Sequence, residues 1–178
     1  MPTNVEVKAR VRDVACLRAR AEALSGGPGQ EVQQEDTFFR VPHGRLKLRQ
    51  QSPGKGELIY YERDDAPNPK PSHYLIAGTS EPAALRVVLT AALGLRGVVR
   101  KRRTLYRIGQ TRLHLDQVEG LGSFLELEVV MAHGQDVAQG RATAAELMER
   151  LGLAASDLVS CAYIDLLDQR EKRPCAGR

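Results

Sequence analysis

Cysteine is scarce, three residues among 178, and the three form no CxxC or Cys/His spacing. Cys16, Cys161 and Cys175 therefore suggest neither a disulfide framework nor a zinc site. The first two read as buried helix residues and Cys175 as a tail thiol. Aromatic residues are only 4% of the chain, which leaves little for stacking nucleic-acid bases. No apolar run reaches the ~18 residues of a membrane helix. The opening MPTNVEVKARV is charged throughout and has no apolar h-region of a secretory signal. The expected compartment is cytoplasmic, with no membrane association. A phosphate-cradling glycine-rich loop is missing too, since Gly120-Leu121-Gly122 is too short and precedes a strand pattern rather than a helix.

What is present suits one globular domain over residues 1–168, followed by a flexible tail at 169–178. The formal charge of +4 is compatible with nucleic acid, acidic lipid or a phosphorylated small molecule, and its distribution decides among them better than its total. The densest run, Arg100 to Arg103, is split between two faces by strand alternation. No nucleic-acid partner is expected.

Period-2 patterning dominates. In Val5 to Val11, the residues Glu6, Lys8 and Arg10 share one face and Val5, Val7, Ala9 and Val11 the other. Arg45, Lys47 and Arg49 alternate with leucines in the same way. Further strands are read at 35–41, 57–63 and 72–77, with Gln30–Gln34 as a lead-in to the first of them. The stretch from Val98 to Val130 adds three more: Val99, Lys101 and Arg103 share a parity, then Arg112, His114 and Asp116, then Phe124, Glu126 and Glu128. Opposite the last set lie Leu125, Leu127 and Val129, where a core belongs. Asp13 reads as the N-cap of a helix with the stripe Val14, Leu17, Ala21 and Leu24, stopped at Gly26-Gly27-Pro28. Ser80-Glu81-Pro82 opens a second helix that ends at Gly94, and 142–151 and 155–167 are helical by composition.

Charges alternating with Leu and Val are ordinarily the solvated face of a sheet. Here, however, at least five strands repeat the pattern with charges of both signs and heavy use of arginine, which recognises phosphate through a planar fork. A sheet closed into a barrel would line its interior with these groups and cover its apolar outer face with helices. Clustered cations would then need an anionic ligand, and the carboxylates among them suit a hard cation that takes oxygen ligands.

Taken in order, Glu6-Val7-Lys8, Arg45-Leu46-Lys47-Leu48-Arg49, Tyr61-Glu62-Arg63, Lys70-Pro71-Ser72-His73-Tyr74, the run from Val99 to Tyr106, and His114-Leu115-Asp116 through Phe124 to Glu128 resemble the CYTH superfamily of triphosphate tunnel metalloenzymes. That superfamily includes class IV adenylyl cyclases and thiamine triphosphatases. The resemblance implies an α+β fold: an eight-stranded antiparallel closed barrel, the triphosphate tunnel, with helices packed outside. It implies that Lys8, Arg45, Lys47, Arg63, Lys101 and Arg103 hold phosphates, with Arg10, Arg49, Lys70, Arg112 and His114 joining the substrate-binding set. Glu6, Glu126 and Glu128 would hold Mg²⁺ or Mn²⁺, with Asp116 a further carboxylate on the metal side. Lys8, Glu6 and Arg63 are the catalytic candidates. The implied partner is a triphosphate-containing small molecule and the implied state a monomer or homodimer. The implied activity is metal-dependent hydrolysis; adenylyl cyclisation and non-catalytic binding of polyphosphate or nucleotide are the alternatives. Asn4 stands where the family's Glu-x-Glu-x-Lys motif has its first Glu, which removes one negative charge from the site of a second metal.

Overall fold

The computed structural model describes residues 1–52 and 54–172. Its strands are β1 (Thr3–Arg10), β2 (Gln30–Phe39), β3 (Arg45–Ser52), β4 (Lys55–Arg63), β5 (Lys70–Thr79), β6 (Leu95–Ile108), β7 (Thr111–Val118) and β8 (Gly122–Val130). They close in the order β1-β5-β4-β3-β2-β6-β7-β8, and every neighbouring pair is antiparallel. The helices are α1 (Val14–Ser25), α2 (Pro82–Leu93), α3 (Val137–Leu151) and α4 (Tyr163–Glu171). None is long and apolar enough to cross a membrane.

Alternation sorts the side chains as expected. Val7, Leu113, Leu115, Leu125 and Leu127 point outward and pack with Leu17 and Ala21 of α1 and Leu147 and Leu151 of α3. The expected stripe on α1 is the face that docks, and Asp13 caps that helix by accepting from the Cys16 N–H at 2.9 Å. Where α3 crosses β1, Gly140 keeps the approach close: a Cβ there would lie 2.5 Å from Met131 Sδ and 2.8 Å from a methyl of Val5. Because Val5 is fully buried, Gly140→Ala is expected to lower stability by about 1–3 kcal/mol, the usual cost of overpacking, measurable as a shift in the urea midpoint.

A second apolar cluster lies inside one end of the barrel. Phe38, Val99, Val118 and Phe124 meet Ala162, Tyr163 and Ile164 there, at the start of α4. This insertion corrects the helical reading of 155–167. Only Ala155–Asp157 forms a 3-10 turn, and residues 158–162 run extended across the barrel end before α4 begins. The extended segment answers one buried acceptor and two buried donors: the Val159 N–H donates to the Lys8 carbonyl at 2.8 Å, and the Cys161 and Ser160 carbonyls accept from the Lys8 and Lys70 ammonium groups.

Other boundaries shift for comparable reasons. Gln30–Gln34 is strand rather than lead-in, because the 14-residue β6 pairs along the whole of β2 from Gln30↔Leu105 to Phe39↔Leu95. Helix α3 starts at Val137, capped by Asp136, ahead of the expected 142. Helix α4 continues past 168 to Glu171, and the rest of the expected tail, 173–178 with Cys175, lies outside the described residues. Cys16 is exposed, since it sits off the docking stripe of α1, and Cys161 lies half-buried in the extended segment, so neither is a buried helix residue.

Candidate active site: a charged tunnel

Charged side chains line most of the rest of the barrel interior, with Ile59, Tyr61 and Ile76 on the β4 and β5 side. Lys47 and Arg49 of β3, Arg63 of β4, Lys8 of β1, Lys101 and Arg103 of β6 and Arg112 of β7 line one tunnel with Glu6, Asp36, Glu126 and Glu128. Its clear volume is only about 140 Å³, because the side chains reach across it to one another. A wider groove of about 900 Å³ lies beside it, lined by Gln33, Gln50, Gln51 and Gln117, and shares Lys101 with the tunnel. That groove carries Arg100, Lys101 and Arg102 along one strand with Glu35 and Glu119 beside them, whereas the tunnel gathers seven cations from five strands, so the smaller space is the candidate site.

Four ion-pair groups partition the tunnel. At Asp36, 2% exposed, Arg49 donates twice, at 2.8 and 2.9 Å, and Lys47 once at 2.9 Å. Burial alone would raise the Asp36 pKa, but Arg49, Lys47 and Lys101 outweigh it and hold the carboxyl well below its ordinary range. The same burial, with Arg49 close by, pushes Lys47 down to about 7. In the second group Arg103 forks onto Asp116 with two 2.6 Å bonds and reaches Glu126 at 2.6 Å, while Lys8 lies 3.2 Å from the other Glu126 oxygen. Tyr163 closes this group from α4, donating its hydroxyl to Asp116 at 3.0 Å, with its ring centre 3.9 Å from the Lys8 ammonium. In the third group Arg112 holds one oxygen of Glu128, at 3.0 and 2.8 Å. Across the tunnel Arg63 donates to Glu6.

His114 interrupts this pairing. It is buried, and its Nδ1 has no hydrogen-bond partner among the described residues. Burial and Arg103 lower its pKa, which favours a neutral imidazole with a free lone pair. Nδ1 faces Glu128 Oε1 at 3.6 Å, and that oxygen is the one Arg112 leaves unengaged. His114, Glu126 and Glu128 together offer ligand atoms within 4.8 Å of one another. An orphaned nitrogen beside a free carboxylate oxygen fits a divalent cation, and imidazole with carboxylate suits Mn²⁺ at least as well as Mg²⁺.

The sequence-predicted residues thus separate. Lys8, Lys47, Arg49, Arg63, Lys101, Arg103, Arg112, Glu6, Glu126 and Glu128 line the tunnel, and Lys101 and Glu126 share its interior as their parities imply. Arg10 ends β1 exposed, over the Phe124 ring. Arg45 is drawn to the rim by Asp65 at 2.6 Å and Asp165 at 2.8 Å, and Lys70 is taken by the Ala66 and Ser160 carbonyls. Asp116 lies behind Arg103, outside the His114 cluster, and Glu6 faces Arg63 instead. Asp36 and Tyr163 were missed. The parity of Asp36 with Gln34 and Phe38 was available as a signal, whereas strand alternation has nothing to say about a tyrosine arriving from α4.

These pairings set an acid limit. Asp36 and Glu126 are held well below the ordinary carboxylate range and Asp116 at about 2, burial raising each and the facing Lys and Arg residues more than reversing it. Their stabilising contribution is complete above the unfolded values near 4 and is lost as pH falls through the folded ones. The urea midpoint is therefore expected to drop steadily from about pH 4 to about pH 2. A midpoint flat over that interval would contradict the pairing.

A model of the CYTH domain matches residues 2–163. The chain belongs to the CYTH family. A curated relative, the adenylate cyclase CyaB of Aeromonas hydrophila, is 27% identical over 176 residues, covering 93% of this chain and 89% of that protein. Among solved structures, the PH1012 protein of Pyrococcus horikoshii OT3 superposes with a TM-score of 0.81 at 28% identity, over 92% of this chain and 98% of that one. HpAC1 of Hippeastrum, described as an adenylyl cyclase candidate with a dominant triphosphatase activity, shares the fold at a TM-score of 0.66 and 14% identity, with both chains covered completely. Membership of the CYTH family accounts for the closed barrel with charges inside and leucines outside.

Proposed function

We propose that this CYTH protein is a divalent-metal-dependent phosphohydrolase acting on a triphosphate-containing compound. The observation that carries the reading is the charge imbalance of the tunnel, seven lysine and arginine side chains against four carboxylates on its wall. A polyanion threaded between them would relieve that imbalance. The arginines present forks to phosphate oxygens, and the enclosed site strengthens each contact relative to water. Lys8 and Arg103, both deeply buried, neutralise charge that develops on the transferred phosphoryl group. A cation on His114, Glu126 and Glu128 would supply Lewis-acid neutralisation and orient the attacking water. Binding to the folded state alone raises stability, by about 2.7 kcal/mol at a hundredfold excess over Kd, so inorganic triphosphate is expected to raise Tm.

A second reading, cyclisation of ATP, is favoured by the name of the Aeromonas relative. It places the ribose hydroxyl rather than water in line with the leaving group. Products from ATP, thiamine triphosphate and inorganic triphosphate with Mg²⁺ and with Mn²⁺ separate the readings. Phosphate release supports hydrolysis, and cyclic AMP with pyrophosphate supports cyclisation. A Tm rise with no product would leave a binding protein.

A further inference from the structure

The part of the tunnel between β1 and Glu128 is filled by a side chain. Arg112 enters from β7, opposite Glu128 in the strand register, and takes Glu128 through both Nε and Nη2. Asn4 on β1 completes the enclosure. With its carboxamide oxygen turned toward Arg112 it accepts from Nη2 at 3.1 Å, and its nitrogen donates to the Thr3 carbonyl at 3.3 Å. The reverse orientation would set acceptor against acceptor and donor against donor, so its polar neighbours select this one. Glu6 of β1 stands opposite Glu128 in the register, and Arg63 engages one of its oxygens. Each of these two carboxylates is charge-paired, Glu6 with Arg63 and Glu128 with Arg112, and the space beside Asn4 holds a guanidinium.

A guanidinium so placed does part of what a bound cation does. It carries permanent positive charge, it is held by three contacts, and it presents further N–H donors in a fixed plane. No hydrogen bond among the described residues engages its Nη1, and Arg112 lines the tunnel. It cannot exchange, coordinate a water as a Lewis acid or generate hydroxide. The other candidate position, at His114 Nδ1 and the free oxygen of Glu128, keeps its donor atoms available.

We propose that the tunnel takes a single divalent cation, at His114, Glu126 and Glu128, and that Arg112, fixed by Asn4 and Glu128, stands in the place of a second cation and donates to the bound polyphosphate. The role of Arg112 toward polyphosphate rests on the proposed function. The number of cations does not.

Bound Mn²⁺ can be counted by the electron paramagnetic resonance of the free ion, with and without a methylene-bridged triphosphate analogue. One protein-bound Mn²⁺ per chain is expected for the parent and for Asn4→Glu, whose new carboxylate pairs with Arg112. The double variant Asn4→Glu/Arg112→Gln is expected to bind two. Arg112→Gln is expected to weaken metal-free binding of the analogue about tenfold, with Arg112→Lys intermediate because an ammonium lacks the fork. Circular dichroism establishes that each variant is folded. Two Mn²⁺ on the parent overturns the proposal, and so does an Arg112→Gln variant that binds the analogue as the parent does. If the analogue fails to bind the parent at all, the phosphohydrolase reading falls, and the Mn²⁺ counts on protein alone still decide the one-cation claim.

Discussion

Replacing Arg103 with alanine is expected to cost about 3–5 kcal/mol of stability, the range for removing one partner from a buried ionic group, and to abolish turnover of triphosphate. The expectation rests on what Arg103 leaves behind. It supplies two of the three hydrogen bonds that Asp116 receives and the shortest contact to Glu126. Without it Asp116 keeps the Tyr163 hydroxyl at 3.0 Å and Lys101 at 3.5 Å, and Glu126 keeps Lys8 at 3.2 Å. Two buried carboxylates would then share two ammonium groups, and Lys101 already has its pKa lowered, by burial first and by Arg103 second. Losing Arg103 removes that repulsion but not the burial. In a domain of this size the stability loss corresponds to a fall in Tm of roughly 6–20 °C. Arg103→Lys separates charge from geometry, since an ammonium reaches one carboxylate and not both. It is expected to recover part of the Tm and little of the turnover. An Arg103→Ala protein that melts within a degree or two of the parent would show that the Asp116 and Glu126 contacts carry no net energy.

The barrel was legible because its rule is local. Residues two apart on a strand share a face, so Lys101 and Arg103 could be separated from Arg100 and Arg102, and Glu126 and Glu128 from Leu125 and Leu127, before any strand was paired. Whatever depends on one segment crossing another was not legible. Arg45 and Lys70 have the composition of phosphate ligands, yet Asp65, Asp165 and two carbonyls engage them, brought there by the 64–69 loop and the 158–165 segment. Asp36 lay in a strand read for its aromatic and β-branched neighbours, and its importance appears only when Arg49 is found opposite it in register. Composition assigned a helix to 158–162, but the Lys8 and Lys70 ammonium groups at the barrel end require carbonyl acceptors that a helix would have kept for itself. Each miss is a case of tertiary demand overriding local preference at a position that closes or lines the tunnel.

The two carboxylates of β8 are expected to separate catalysis from stability, although they share a face and stand two residues apart. Glu128 pairs with Arg112, a third of whose side chain is exposed. Solvent can take over that guanidinium, and Glu128→Gln keeps the shape of the side chain, so the fold should hold with Tm close to the parent value. What the amide loses is negative charge at the oxygen facing His114 Nδ1. The variant is expected to need a higher metal concentration and to lose turnover by about 10²–10³-fold, the scale of one electrostatic contact to the transition state. Glu126→Gln should behave differently. Lys8 is 3% exposed and pairs with no other carboxylate among the described residues, so stripping its counter-charge leaves a cation that water cannot reach, while Arg103 keeps its fork onto Asp116; turnover and Tm should fall together. Turnover measured against Mn²⁺ concentration, beside thermal melts of the same preparations, reads both quantities. If Glu128→Gln matches the parent at every metal concentration, Glu128 is no part of a metal site. If Glu126→Gln melts as the parent does, its two ion pairs balance only the cost of burying them.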